Sequence, residues 1–454
     1  SNGMNANKLT INSGGTLSQT SGTLIVGCTN NNSEFLINLG TYTMSGGTLT
    51  VNGKFTNNNP AGSLIQSGGD IIVDGNSGTL ATSINGHIVD MYALDSIKMN
   101  LTGGTFTVVD PTLSATTGNG AFKVYPTNAF TTGADWTLKL GDGISTNPGG
   151  NSDGFLINLT NTNSMVIGGD VIVNTQGATW AANRHVTTAN AVGMKNLTIT
   201  KGDYRLTSVN YINGTITNND TLTHHSSSSN LSLATYTGSA AAVSTNAQTI
   251  GGTGVYRNLV AAPTANLTSL TVNNTNATGV TLNAPLSVSG TLTMTSGIIN
   301  TTDVNLLTLG TATAGGTLAG TPSATNMVRG PFARTISNGN ANTNYILFPV
   351  GKVAYAPIWA APATTAATVM KAETFDSNTG TQSAAIANMA TNRRWELPLI
   401  FGTISDINVR LGDAGILATS IPVQAPSAAG EYTSTFGSVA TAVAGVSTQS
   451  TTPV

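Results

Sequence analysis

A Gly-Gly turn followed by a short run of β-forming residues recurs along this chain. That repeat restricts the possible folds more than any other feature. It reads Ser45-Gly46-Gly47-Thr48-Leu49-Thr50-Val51 and then Ser67-Gly68-Gly69-Asp70-Ile71-Ile72-Val73. It returns as Gly103-Gly104-Thr105-Phe106-Thr107-Val108 and as Gly168-Gly169-Asp170-Val171-Ile172-Val173, with looser copies starting at Ser21 and Ser289. Gly46 and Gly68 stand 22 residues apart. Such a period predicts a solenoid, in which each coil buries its apolar face only by stacking on its neighbours. Side chains alternate along a strand, so Leu49 shares a face with Val51. Val26, Val51, Val73, Val108 and Val173, the apolar ends of the phrase, are therefore expected to point inward.

The composition favours regular β-structure over disorder. Only 8% of the 454 residues are charged, against about 25% in an ordinary globular domain. The formal net charge is −2, whereas disorder goes with high net charge. Thr suits strands, and Asn and Gly suit tight turns. The near-zero charge removes the electrostatic term behind nucleic-acid binding. Arg393-Arg394 is the largest basic cluster, so a polybasic membrane patch is excluded. No apolar run approaches the ~20 residues of a membrane-spanning helix. The opening Ser1-Asn2-Gly3-Met4-Asn5 does not read as a signal peptide, so the expectation is a cleaved leader or a piece of something larger. Cys28 is the single cysteine, which excludes an internal disulfide scaffold.

A longer repeat overlies the first. Phe35-Leu36-Ile37-Asn38-Leu39 recurs as Phe155-Leu156-Ile157-Asn158-Leu159, 120 residues on, which reads as duplication of a block of coils. At about 4.8 Å per stacked strand, roughly 14 coils predict a rod on the order of 70 Å long. Irregular stretches near 125–150, 174–196 and 218–250 are expected to leave the rod as loops. Past position 320 charged and aromatic residues become more frequent and the Gly-Gly phrase stops. The expected architecture is all-β, a parallel β-solenoid (β-helix) over 1–320 followed by a β-sandwich-like domain over 321–454.

The C-terminal third carries a resemblance. The relevant residues run from Leu286-Ser287-Val288-Ser289-Gly290-Thr291-Leu292-Thr293-Met294 through Asn305-Leu306-Leu307-Thr308-Leu309-Gly310. They continue in Met327-Val328-Arg329-Gly330-Pro331-Phe332-Ala333-Arg334, Phe348-Pro349-Val350-Gly351-Lys352 and Asn392-Arg393-Arg394-Trp395-Glu396. This stretch resembles a recurring segment of large secreted surface proteins of Bacteroidetes, especially flavobacteria. The resemblance implies export by type IX secretion, an extracellular or cell-surface location, and a role similar to adhesins and surface filaments. Its motifs are structural, so no active site carries over. A type IX sorting domain is not visible at Ser447 to Val454.

Chemistry-bearing residues are sparse. Glu34 is the only glutamate before Glu373. Asp70 and Asp74 lie four apart on one strand, about 13 Å, too far for a sugar-hydrolysing pair. Asp70 and Asp170 take equivalent places in two Gly-Gly-Asp copies. They read as Asx-turns rather than a calcium site, which needs several carboxylates. His224-His225 point to opposite faces of a strand, against a metal site. No catalytic, cofactor or metal residues are expected. Trp136, Trp180, Tyr204 and Tyr211 are candidates for a carbohydrate-stacking platform. Asp95-Ser96-Ile97 and Asp220-Thr221-Leu222 look like the O-glycosylation acceptor of Bacteroidetes, with Ser96 and Thr221 then exposed. The leading expectation is a non-enzymatic structural or adhesive segment that self-associates or meets neighbouring segments. The alternative is a carbohydrate-active or carbohydrate-binding β-helix, such as a polysaccharide-degrading enzyme or a tail-spike-like module.

Overall fold

The computed structural model describes residues 8–27, 33–37, 39–57, 59, 61–74, 89–93, 98–109, 122–126, 130–143, 155–159, 165–175, 186–188, 190–225, 229–259, 265–386, 389, 392–416, 422–432, 434–435 and 446–449. Every regular element among these residues is a β-strand. The chain divides into two compact units, residues 1–244 with 250–265, and residues 245–249 with 266–454.

In the first unit a ten-stranded parallel sheet runs through Lys8–Ile11, Ser33–Ile37, Gly53–Asn57, Val89–Ala93, Phe122–Pro126, Phe155–Leu159, Val186–Thr188, Asp203–Leu206, Thr221–His224 and Val255–Asn258. The two copies of the duplicated pentapeptide thus supply strands to the same sheet. A second network of strands is closed, because its long strands each carry two ladders. Residues 63–66 of Ser63–Val73 pair with Thr41–Met44, and residues 70–73 pair with Thr48–Val51. Gly68-Gly69 lies between the two halves, with Gly69 at φ +75°. The Gly-Gly phrase thus separates two parallel ladders, which with the ten-stranded sheet make three sets of parallel pairings, the ladder that follows the phrase being the third.

Step length varies from round to round. Thr48 pairs with Asp70, 22 residues on, but Asp203 pairs with Thr221, 18 on, and Thr221 with Val255, 34 on. The third ladder keeps its register regardless, since a one-residue slip would turn its apolar side chains outward. Val26 is 1% exposed and Val51, Val73, Val108 and Val173 are 0% exposed, all as expected. Aromatic rings continue this core from one round to the next. Phe35 stacks on Phe55 at 5.2 Å, Phe55 meets Phe106 edge-on at 5.5 Å, and Phe106 lies 6.4 Å from Trp136.

The three stretches expected as loops need correction. Asp135–Leu140 pairs in parallel with 103–108 and with 171–173. Val186–Thr188 and Val192–Lys201 lie within the second stretch or begin there, and Thr221–His224 and Asn230–Leu233 lie within the third. All are ladder strands. In Asp135–Leu140 the alternate residues Trp136, Leu138 and Leu140 are apolar and buried, and that alternation outweighs the Gly and Asn around them.

The second unit begins with the same parallel pairing. Leu267–Asn273 pairs with Leu286–Asn300, which in turn pairs with Leu307–Leu309, Thr317–Gly320 and Asn326–Arg329. Parallel pairing does not stop at 320. Phe332–Ile336 is parallel to Leu307–Leu309 on one edge and antiparallel to Thr368–Phe375 on the other. Leu399–Phe401 and Arg394–Glu396 extend this antiparallel part. A separate antiparallel sheet holds Ile346–Phe348, Ile358–Ala363, Asp406–Gly412 and Val446–Gln449.

Candidate functional site

The aromatic candidates from the sequence separate into different environments. Trp136 is fully buried and donates from Nε1 to Gln66 Oε1 at 2.9 Å. Tyr204 is fully buried and donates to Asn210 Oδ1 at 2.7 Å. A ring with no exposed face cannot stack on a sugar, so both are core residues. Tyr211 is half-buried and lies flat against Tyr236, centroids 4.4 Å apart. Tyr236 sits where Gly193, the register partner of Tyr211, leaves the backbone bare. One face of Tyr211 is therefore already covered. Trp180 and Ser96 lie outside the described residues. Thr221 is 6% exposed and donates to Asp220 Oδ1, so the expected exposure of this hydroxyl is corrected. It sits inside a strand with ladder partners on both sides, Asp203 and Val255.

Polar side chains inside the first unit secure its corners. Gln19 Nε2 donates to Gly22 O at 3.2 Å and to Thr48 O at 2.9 Å, while its Oε1 accepts from Tyr42 at 2.7 Å. Gln66 repeats this arrangement with Gly69 O and Thr105 O, both at 3.1 Å, and with Trp136. One amide thus ties the corner of its own round to the next round. His224 is likewise internal, its Nε2 at 3.1 Å from Ser229 O, and burial lowers its pKa to about 4. An imidazole held neutral in this way is a packing element. Asp170 accepts from Asn196 Nδ2 at 2.8 Å, and Asp70 is exposed. Among the described residues no group of three or more His, Cys, Asp or Glu is placed to hold a metal ion.

Two constellations in the second unit were not visible in the sequence. Glu373 and Glu396 face each other across an antiparallel pair. Lys352 Nζ lies 2.5 Å from Glu373, Arg394 Nε lies 3.0 Å from Glu396, and Arg394 lies 3.8 Å over the Phe375 ring. Two carboxylates placed opposite repel, and the two cations offset that repulsion. The second constellation lies on the outer face of the sheet containing Ile358–Ala363. Ile358 and Ala360 point inward and are fully buried, so Trp359 points outward. Trp359 is in register with Leu347 on one side and Arg410 on the other. Arg410 lies 3.6 Å over the Tyr345 ring, and its Nε is buried with no hydrogen-bond partner among the described residues. The Trp359 ring rests against Gly412, where a Cβ would meet Cζ3 at 3.1 Å. Trp359, Arg410, Tyr345 and Leu347 are all half-exposed. The alternation in Ile358-Trp359-Ala360 could have marked Trp359 as outward. Nothing local could pair it with a residue 51 positions on.

No protein-family model, no curated protein and no solved structure matches this chain.

Proposed function

We propose that this chain is a non-enzymatic extracellular structural and adhesive protein. In this reading its parallel ladders are the faces of a β-solenoid, and it forms a segment of a longer cell-surface rod or filament. The observation that carries it is the interior of the first unit. Successive rounds share one continuous apolar core, and the polar groups within it are spent on joining round to round. Such a body gives length and surface, and its stability is a sum over neighbouring rounds. The ten-stranded sheet alone would extend about 43 Å at ~4.8 Å per step. Small-angle scattering tests the proposal. The expected profile is that of an elongated particle, and a compact one would sink the reading.

Self-association belongs to the same proposal. Leu9, Leu17 and Leu24 face the same way as their register partners Phe35, Tyr42 and Leu49. The partners are fully buried and the leucines only half-buried. Among the described residues, Lys8–Ile11, Thr16–Gln19 and Thr23–Val26 each pair on one edge alone. An identical subunit or another segment adding strands there would cover both the leucines and the free backbone groups. The reading of a polysaccharide-degrading enzyme has one specific observation behind it, the facing pair Glu373 and Glu396. Both are engaged in ion pairs, Glu373 with Lys352 and Glu396 with Arg394. Purified protein is expected to release no reducing ends from polysaccharide. Release that vanishes in Glu373→Gln would favour the enzyme instead.

A further inference from the structure

We infer that the outer face carrying Trp359, Arg410 and Tyr345 binds a carboxylated polysaccharide. This deepens the adhesive reading by naming the ligand class, and it rests on that reading only for its biological setting. The first argument is the state of Arg410. The terminal nitrogens of a structural arginine ordinarily find acceptors, as those of Arg334 do here, donating to Leu347 O at 2.7 Å and Gly316 O at 2.8 Å, although its Nε, like that of Arg410, is buried without a partner. None of the ion pairs among the described residues involves Arg410. Its guanidinium is instead fixed against the Tyr345 ring. Stacking of this kind orients the planar fork, and its two terminal nitrogens match a carboxylate with two parallel hydrogen bonds.

The second argument is the neighbour. Trp359 is directly opposite Arg410, so the two side chains stand about 5 Å apart at Cβ. A uronic sugar carries its carboxylate directly on the pyranose ring, so neighbouring side chains can engage both parts of one residue. The indole is half-exposed on a sheet face, and its apolar surface suits the C–H face of a pyranose. Gly412 lets the ring lie against bare backbone, and Leu347 continues the apolar strip on the far side. A neutral sugar would use the indole and leave the guanidinium unmatched. A simple anion would use the guanidinium and leave the indole wet. A chain of uronic acids engages both.

Affinity electrophoresis of the full chain tests this, with polygalacturonate, neutral dextran and polyglutamate each cast into the gel. Retardation by polygalacturonate alone is expected. Arg410→Gln should weaken it ~10-fold or more, the size of a lost charge-assisted pair. Arg410→Lys keeps the charge but loses the fork, and should weaken it several-fold, about 3-fold or more. Trp359→Ala should weaken it to a similar degree as Arg410→Gln, with an unchanged circular dichroism spectrum as the check on folding. Equal retardation by polyglutamate would reduce the effect to charge and overturn the inference. So would equal retardation by dextran, no retardation at all, or full binding by correctly folded Arg410→Gln. The outcome is separable from the rod reading, because a compact scattering profile would leave retardation intact and absent retardation would leave an elongated profile intact.

Discussion

Single residues decide whether adjacent rounds can approach. Gly47 has φ +83°, and a Cβ there would lie 2.4 Å from Gly22 O in the round before. Gly22 has φ +74° but nothing within 4 Å of its missing Cβ. Gly22→Ala therefore bears only the left-handed backbone penalty of about 1–2 kcal/mol. Gly47→Ala adds a backbone clash and should lower the thermal midpoint distinctly more, which paired melting curves would show. Gln66→Ala leaves the Trp136 N–H and two carbonyls without their partner in the interior, at a cost of about 2–4 kcal/mol by urea unfolding. His224 sets a pH dependence. Its folded pKa of about 4 lies below the unfolded value near 6.5, so the unfolded chain binds the proton first as pH falls. The stability it contributes is complete above pH ~6.5, declines through that window and is gone below pH ~4, a total of about 3 kcal/mol. His224→Gln should flatten the slope in denaturation midpoints between pH 7 and 4. An unchanged slope would mean that the imidazole is not held neutral.

On the proposed solenoid reading the repeating element is a full round of three strands, and it should behave as a unit. Thr48 and Asp70 are register partners, so deleting residues 48–69 joins Gly47 directly to Asp70. One strand is removed from each ladder, and every remaining side chain keeps its face. Deleting residues 48–68 leaves one residue too many, and the third ladder must then bulge or slip. The 48–69 deletion should retain the β-type circular dichroism spectrum and a cooperative melt. The 48–68 deletion should melt at least about 10 °C lower, in keeping with a loss of several kcal/mol. Equal melting of the two would show that register is not what the ladders preserve. Phe332–Ile336 is the complementary element, because it pairs parallel on one edge and antiparallel on the other. Arg334 anchors it with bonds to Gly316 O and Leu347 O, and burial lowers this guanidinium to about 10.

At the scale of the whole molecule, the two units differ in how they use charge. The outward side of the third ladder in the first unit is a strip of threonines and isoleucines, such as Ile25, Thr50, Ile72 and Thr107 in register. Charge concentrates instead in the second unit, around Glu373, Arg394 and Asp376. Raising protein concentration should increase particle length in light scattering if the half-covered leucines of the first round recruit another chain. Leu17→Lys would then hold the particle at monomer size, because it places a charge where the next layer must pack.

The sequence by itself determined what depends on neighbouring residues. Alternation assigned Leu49, Val51 and Val73 to the interior, and paired glycines marked turns where no Cβ fits, with positive φ at Gly47, Gly69 and Gly104. It could not say which strand lies beside which, because in the ten-stranded sheet parallel pairing joins residues 18 to 35 positions apart and loops of any composition can span that distance. The tertiary structure therefore decided that Trp136 is core, since its partner Gln66 lies 70 residues earlier and its neighbour Phe106 belongs to another round. It decided that Thr221 is covered, that the Asn- and Ser-rich stretches hold ladder strands, and that Phe332–Ile336 pairs antiparallel with Thr368–Phe375. It alone brought Arg410 beside Trp359. Burial and pairing are properties of what the rest of the chain stacks against, and no local pattern carries that information.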